Sequence, residues 1–463
     1  MKLSPTILGA AVLALAACGR DTGLAIGKLP AAGRGTTGST VLRVPAAGGL
    51  PRLYRLPGLD SSAWKSEDKL PPLDRTVGAD PELGLVFFLD KKRNLVALDL
   101  ETRRVRPHLE QVRDAAVGPD GALYAIDTGS SVTQLVRRAP IRFRSKLEGK
   151  PTELHGTMSG TLVARLAGNS PALELLGSDQ PPERVPIPAG AISSSLWGDL
   201  VAVAADSAVV IYPTQGKHER RVLPVSGHAR AAIFSPSGHR IYVARDEESL
   251  LVLDRFSGDE LAEIDLPGPA ADLRSDPYGQ WLIVKPVAGD SGWIVDVGKG
   301  GRSGTVGVQW DDDLPAIVPP GTLLTRRGEE VVALDLGTEG FPERGSLPGA
   351  AGDTWLPLAW HPQQDEGAEE PVDTALAAAA DSAGPGRNVY LQVSSSQNPA
   401  WADELSQKLR TAGLPAAVLK PSRSDEAYRV VLGPYATREQ AEETGRRIGM
   451  PSFVVTPSDP PSR

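Results

Sequence analysis

Between residues 40 and 362 a turn built on Gly and Pro returns at steps of about forty residues. Asp80-Pro81-Glu82-Leu83-Gly84, Gly118-Pro119-Asp120-Gly121, Ser235-Pro236-Ser237-Gly238, Asp276-Pro277-Tyr278-Gly279 and Pro319-Pro320-Gly321 carry it. Weaker versions stand at Met158-Ser159-Gly160 and Trp197-Gly198-Asp199, and Trp360-His361-Pro362 ends the series. Pro presets φ and Gly accepts positive φ, so such segments reverse the chain tightly. Each turn leads into one β-rich run and then a second, as in Arg240-Ile241-Tyr242-Val243 followed by Leu250-Leu251-Val252-Leu253-Asp254. The same cadence appears in Leu95-Val96-Ala97-Leu98-Asp99-Leu100 and Val331-Val332-Ala333-Leu334-Asp335-Leu336. About forty residues is the period of a four-stranded propeller blade and not the signature of a two-sheet sandwich. Counting turns from Pro81 to Pro319 predicts seven blades, the strand ending at Trp360 closing the ring against strands near Val41–Val44 and Arg52–Leu56. Closure removes exposed strand edges. An eight-bladed ring with a composite last blade is the alternative.

This middle region resembles the WD-repeat and YVTN-type propellers, most strongly from Ala229 to Leu266. On that resemblance His228 corresponds to a structural histidine, hydrogen-bonded in the core.

Beyond it the chain changes character. Leu391 and Val393 alternate with Tyr390, Gln392 and Ser394, which predicts a strand with one apolar face. Trp401, Leu405 and Leu409 keep helical spacing and Gly413 supplies a stop. Pro415–Leu419 reads as a second strand, and in Tyr428–Leu432 the residues Tyr428, Val430 and Leu432 face one way, Arg429 and Val431 the other. Thr437 with Gln440 three residues later forms a capping-box pattern ahead of Ala441 and Ile448, and Ser452–Thr456 supplies a last strand. The result is a small α+β unit of order βαββαβ over residues 387–457, so the fold class is mainly β with this unit appended. Two helices cover one sheet face and leave the other, with Tyr390, Gln392, Ser394, Arg429 and Val431, to solvent.

Tyr390-Leu391-Gln392-Val393 and Tyr428-Arg429-Val430-Val431-Leu432-Gly433-Pro434-Tyr435 resemble the two halves of the SPOR (sporulation-related repeat) domain. The resemblance covers about seventy residues. It implies binding of peptidoglycan glycan strands stripped of stem peptides, which accumulate at division septa. Tyr390, Gln392, Ser394, Ser395, Arg429 and Val431 are the candidate glycan contacts, with Gln392 the firmest. Ser394-Ser395-Ser396 departs from the glycine-serine-phenylalanine of many members.

The front end supplies an address. Met1-Lys2, an apolar run from Ile7 to Ala17 and then Cys18 describe a secretory signal peptide, too short to span a bilayer once mature. Leu15-Ala16-Ala17-Cys18 resembles a bacterial lipobox, which implies acylation of Cys18, the chain's single cysteine. Each buried methylene of an acyl chain contributes roughly 0.8 kcal/mol, so two or three chains hold a protein firmly on a membrane. Gly19 favours the outer membrane by the sorting pattern of enteric bacteria. Residues 19–39 read as a tether, 363–386 as an acidic linker and 458–463 as a loose tail.

With one cysteine no disulfide forms within the chain, and the 41% of residues that are hydrophobic must supply the cores. A net charge of −8 argues against nucleic acid as a partner. Gly289-Asp290-Ser291-Gly292 lacks any companion of a protease nucleophile, and Gly298-Lys299-Gly300-Gly301 lacks the spacing of a phosphate loop. Asp311-Asp312-Asp313 lacks the alternating ligands of a calcium loop, and the six histidines show no metal-ligand pairing. No metal, cofactor or catalytic residue is assigned. The expectation is a non-catalytic lipoprotein of the cell envelope, periplasmic and linked to cell division, whose propeller meets a protein partner. A propeller hydrolase or lyase of wall glycan is the alternative.

Overall fold

The computed structural model describes residues 40–358 and 389–455, with short stretches inside both left out. Cys18, the tether, the acidic linker, Trp360 and the tail lie outside the described residues. What is described of the first region folds as eight four-stranded antiparallel sheets.

Seven are contiguous in sequence: β4 to β7 within residues 73–109, β8 to β11 within 112–146, β12 to β15 within 151–186, β16 to β19 within 191–224, β20 to β23 within 229–265, β24 to β27 within 270–307 and β28 to β31 within 316–348. The eighth is composite. It joins β1 (Thr40–Val44), β2 (Arg52–Arg55) and β3 (Asp60–Lys65) to β32 (Thr354–Leu358) from the far end, with Leu42 opposite Leu356. The seven turns therefore mark seven of eight blades. In the composite blade the inner strand comes from the other end of the chain and ends at Leu358, just before the Trp360-His361-Pro362 that ends the series of turns.

Eight apolar clusters each join two neighbouring sheets and close the ring. At the closing sheet, Val41, Tyr54 and the fully buried Trp355 meet Leu324, Val331 and Ala333 of the last contiguous blade. On its other side Leu42, Leu53 and Trp64 meet Val86, Phe88 and Leu98 of the first. Middle strands are buried on both faces, as in β21 (Arg240–Arg245) and β22 (Ser249–Asp254), whereas the outer β23 (Glu260–Asp265) alternates with solvent.

The recurring turns share one geometry. Gly121, Gly160, Gly198, Gly238 and Gly279 each donate their N–H to the carbonyl three residues back, at 2.7 to 3.3 Å, and each has positive φ. Ser195, Ser235 and Asp276 add a side-chain oxygen that accepts an N–H from beyond the turn, from Leu200, Arg240 and Trp281 respectively. The weaker signals at Gly160 and Gly198 are thus full members. The aspartates closing the third strands, Asp99, Asp254, Asp296 and Asp335, accept an N–H from the following turn and account for the Leu-Asp cadence.

His228 departs from its expected place. Its Nδ1 stands 2.7 Å from Asp206 Oδ1, but the ring is exposed rather than in the core. Asp311 and Asp313 do not await an ion: both face the Arg326 guanidinium, which donates to Asp313 in a two-point pairing of 2.8 and 2.9 Å. Among the described residues no group of three or more His, Cys, Asp or Glu stands ready to hold a metal.

Candidate functional site

The second region is one sheet with strand order β34, β35, β33, β36, where β33 is Val389–Ser396, β34 Ala416–Leu419, β35 Tyr428–Tyr435 and β36 Phe453–Val455. All its pairings are antiparallel. Helix α1 (Pro399–Thr411) packs Ala402, Leu405 and Leu409 onto Val389, Leu391, Val393, Val418, Val430 and Leu432. Its end is fixed by the predicted glycine. Gly413, at φ +82°, donates to the Arg410 carbonyl at 2.9 Å, and Leu414 donates to the Leu409 carbonyl at 3.0 Å. That bond pair is a Schellman close, satisfying carbonyls the helix leaves open. Arg410 Nε adds a bond of 2.7 Å to the Ala416 carbonyl, tying the helix to the strand that follows.

The capping pattern at Thr437 is realised with one change. Gln440 donates its N–H to Thr437 Oγ1 at 3.3 Å, while its side-chain oxygen accepts from the Ala436 N–H, one residue earlier than the usual partner. Ala441 is fully buried against the sheet. The side chain of Trp401 and residue Ile448 lie outside what is described.

The opposite face is where the expectation needs correcting. The alternation holds: Val430 and Leu432 join the helix-covered core, whereas Tyr390, Leu419 and Val431 form a separate cluster with Ala417 packed against it. Yet this second face is not open. Tyr390 and Gln392 are 5% exposed and Val431 is 0% exposed. Arg429 is half-buried, and pairs by register with Leu419 on one side and Ser395 on the other. A bulge between Gln392 and Ser394 shifts the register, so Ser394 stands opposite Val430, in the helix-side row, and Ser395 opposite Arg429. The side chains of Ser394 and Ser395 lie outside the described residues. The structure therefore brings Gln392, Val431, Arg429 and Ser395 into adjacent rows, and separates Ser394 from them. The neighbours that fill this face, Ala417 and Leu419, lie in a short strand that sequence reading located without assigning to a face.

Gly433, part of the Tyr428–Tyr435 motif, is required by the backbone geometry. It has φ +128°, and a Cβ at this position would meet the Val389 carbonyl oxygen at 3.0 Å and the Tyr390 ring at 3.1 Å. Gly433 also donates to the Pro415 carbonyl at 2.9 Å, so three strands converge on it.

Residues 385–456 match the SPOR domain family. No curated protein matches the chain. Among solved structures, Citrobacter koseri AztD aligns with a TM-score of 0.49 and 11% identity, over 70% of this chain and 99% of that one. Dihydro-heme d1 dehydrogenase NirN in complex with DHE aligns at 0.49 with 15% identity, over 68% and 74%. Kluyveromyces lactis Hsv2 aligns at 0.43 with 9% identity, over 58% and 96%. The assignment of the first region to a propeller stands on its eight sheets and the clusters between them. The C-terminal unit of this chain is a SPOR domain, a peptidoglycan-binding module, following a β-propeller.

Proposed function

We propose that this chain is a non-catalytic lipoprotein of the bacterial envelope, which grips peptide-stripped glycan strands through its SPOR domain while the propeller receives a protein partner. The family match over residues 385–456 is the observation that carries the reading. Acylation at Cys18 fixes the other end to a membrane, the outer one by the Gly19 pattern, and a septal role follows from where bare glycan accumulates.

The proposed glycan contacts centre on Ser395 and Arg429, with Tyr390, Gln392 and Val431 packed beside them, while Ser394 stands apart in the helix-side row. The half-buried Arg429 guanidinium presents N–H donors to sugar hydroxyls. The packed Gln392 and Val431 set the floor of this surface.

Sedimentation with amidase-treated sacculi tests the reading. The chain pellets with stripped glycan and less with intact sacculi, and Arg429→Ala reduces the bound fraction by about tenfold at limiting sacculi. Gln392→Ala is the less clean probe, since truncating a buried amide disturbs packing. Unchanged pelleting of Arg429→Ala removes it from the site. Release of soluble muropeptides by the purified chain overturns the non-catalytic assignment.

A further inference from the structure

The closing blade of the propeller carries a cleft that wall binding does not use. It has a volume of about 360 Å³ and is lined by Arg43, Pro45, Leu50, Arg52, Tyr54 and Lys69. Arg43 and Arg52 are direct cross-strand partners, and Lys65 stands opposite Arg52 on its other side. Three cations thus occupy one row of three adjacent strands. Like charges placed directly opposite destabilise an antiparallel pair. In a chain of net charge −8, such a row runs against composition.

Acids answer only part of this charge. Asp353 accepts from Arg43 Nε at 2.6 Å, and its other oxygen accepts the Ala46 N–H at 3.0 Å. Arg52, Lys65 and Lys69 have no ion-pair partner among the described residues, and no acid lines the cleft. Arg43 Nη1 lies 3.4 Å from Tyr54 Oη, which turns a donor and a hydroxyl toward the same space. Pro45 and Leu50 supply an apolar edge.

We infer that this cleft is a binding site for a small ligand bearing an oxyanion, a carboxylate or a phosphate, on a partly apolar body. Guanidinium groups pair with planar or tetrahedral oxyanions through parallel N–H bonds. A bound anion relieves the repulsion across the Arg43, Arg52 and Lys65 row. It also braces β1 and β2 beside β32, where the ring closes.

Titration calorimetry and thermal melting of the full chain test the site with three probes: inorganic phosphate, N-acetylmuramic acid, and N-acetylglucosamine as the neutral counterpart. At least one anion binds and raises the propeller's melting midpoint, and the neutral sugar does neither. Phosphate alone points to a phosphorylated ligand, and the acidic sugar alone to wall glycan. Arg52→Ala with Lys69→Ala, both at exposed positions, weakens anion binding by about tenfold or more. The ligand-free double variant melts no lower than the parent, because the change removes repulsion and no ion pair. Arg429→Ala leaves anion binding unaltered, which separates this cleft from the SPOR face. No binding of either anion at millimolar concentration, equal binding of the neutral sugar, or undiminished affinity in the double variant each overturns the proposal.

Discussion

The propeller and the SPOR domain use the same material, short antiparallel strands, in opposite ways. Propeller sheets have no core of their own, since each apolar cluster is shared with a neighbour and the stable object is the ring. The SPOR sheet has its own core, one helix-covered face holding Val389, Leu391, Leu405, Leu409 and Leu432. Loss of a contact should therefore spread around the ring in the first case and stay local in the second.

The largest test of this contrast is Trp355→Ala. This indole is fully buried at the seam and donates to the Ala350 carbonyl at 3.1 Å. Its truncation costs about 3–5 kcal/mol, and calorimetry should show the propeller transition moving down as one unit while the SPOR transition stays. Leu405→Ala, at about 2–5 kcal/mol, should do the reverse. A single shared transition responding to both would dissolve the distinction.

Glycines sharpen it at smaller scale. Gly433→Ala meets both a positive φ and close backbone, and should lower the SPOR melting midpoint by the equivalent of about 1–3 kcal/mol. Gly238→Ala has φ +70° but nothing within 4 Å of its Cβ. Only the backbone term of roughly 1–2 kcal/mol remains there. Equal losses at the two sites would show that crowding around Gly433 contributes nothing.

The smallest expected effect is one of pH. Burial pushes the Glu153 carboxyl up, but His155 and the Arg165 guanidinium outweigh it and hold it below its ordinary value. At 3.7 Å the His155 contact is too long for a hydrogen bond, so Arg165, at 2.6 Å, is the firmer hold. A carboxyl lowered in the folded state contributes stability above its ordinary value and loses it as pH falls through the lowered one. Arg165→Met should flatten that acid limb of the propeller's melting profile slightly and leave the SPOR limb unchanged.

Much of this was legible in the chain itself. Turns announced themselves because Gly must supply positive φ at each, and the SPOR strands because their alternation is strict. The closing strands near Val41–Val44 and Arg52–Leu56 were legible too, but the blade count was not settled. Turn counting favours seven, and the composite eighth blade stands only as the alternative because its inner strand arrives from residue 354. The burial of Tyr390 and Val431 was also hidden. Alternation tells which residues share a face, whereas Leu419 and Ala417, brought beside them by pairing, decide how much of that face stays wet. The bulge after Gln392 moved Ser394 for the same reason: register belongs to two strands at once.

The pairing of Thr40 with Leu358 has a mechanical consequence. The chain enters and leaves the ring at one point, so under the proposed reading the propeller hangs beside the line joining lipid to wall instead of bridging it. Reach then depends on the flanking segments: residues 19–39 and 359–388, drawn straight, span at most about 75 and 110 Å. Tension applied through both ends would peel β1 from β32 one bond after another, starting at the Thr40–Leu358 end. The ring would give way by unzipping its own closure long before its other blades felt the load.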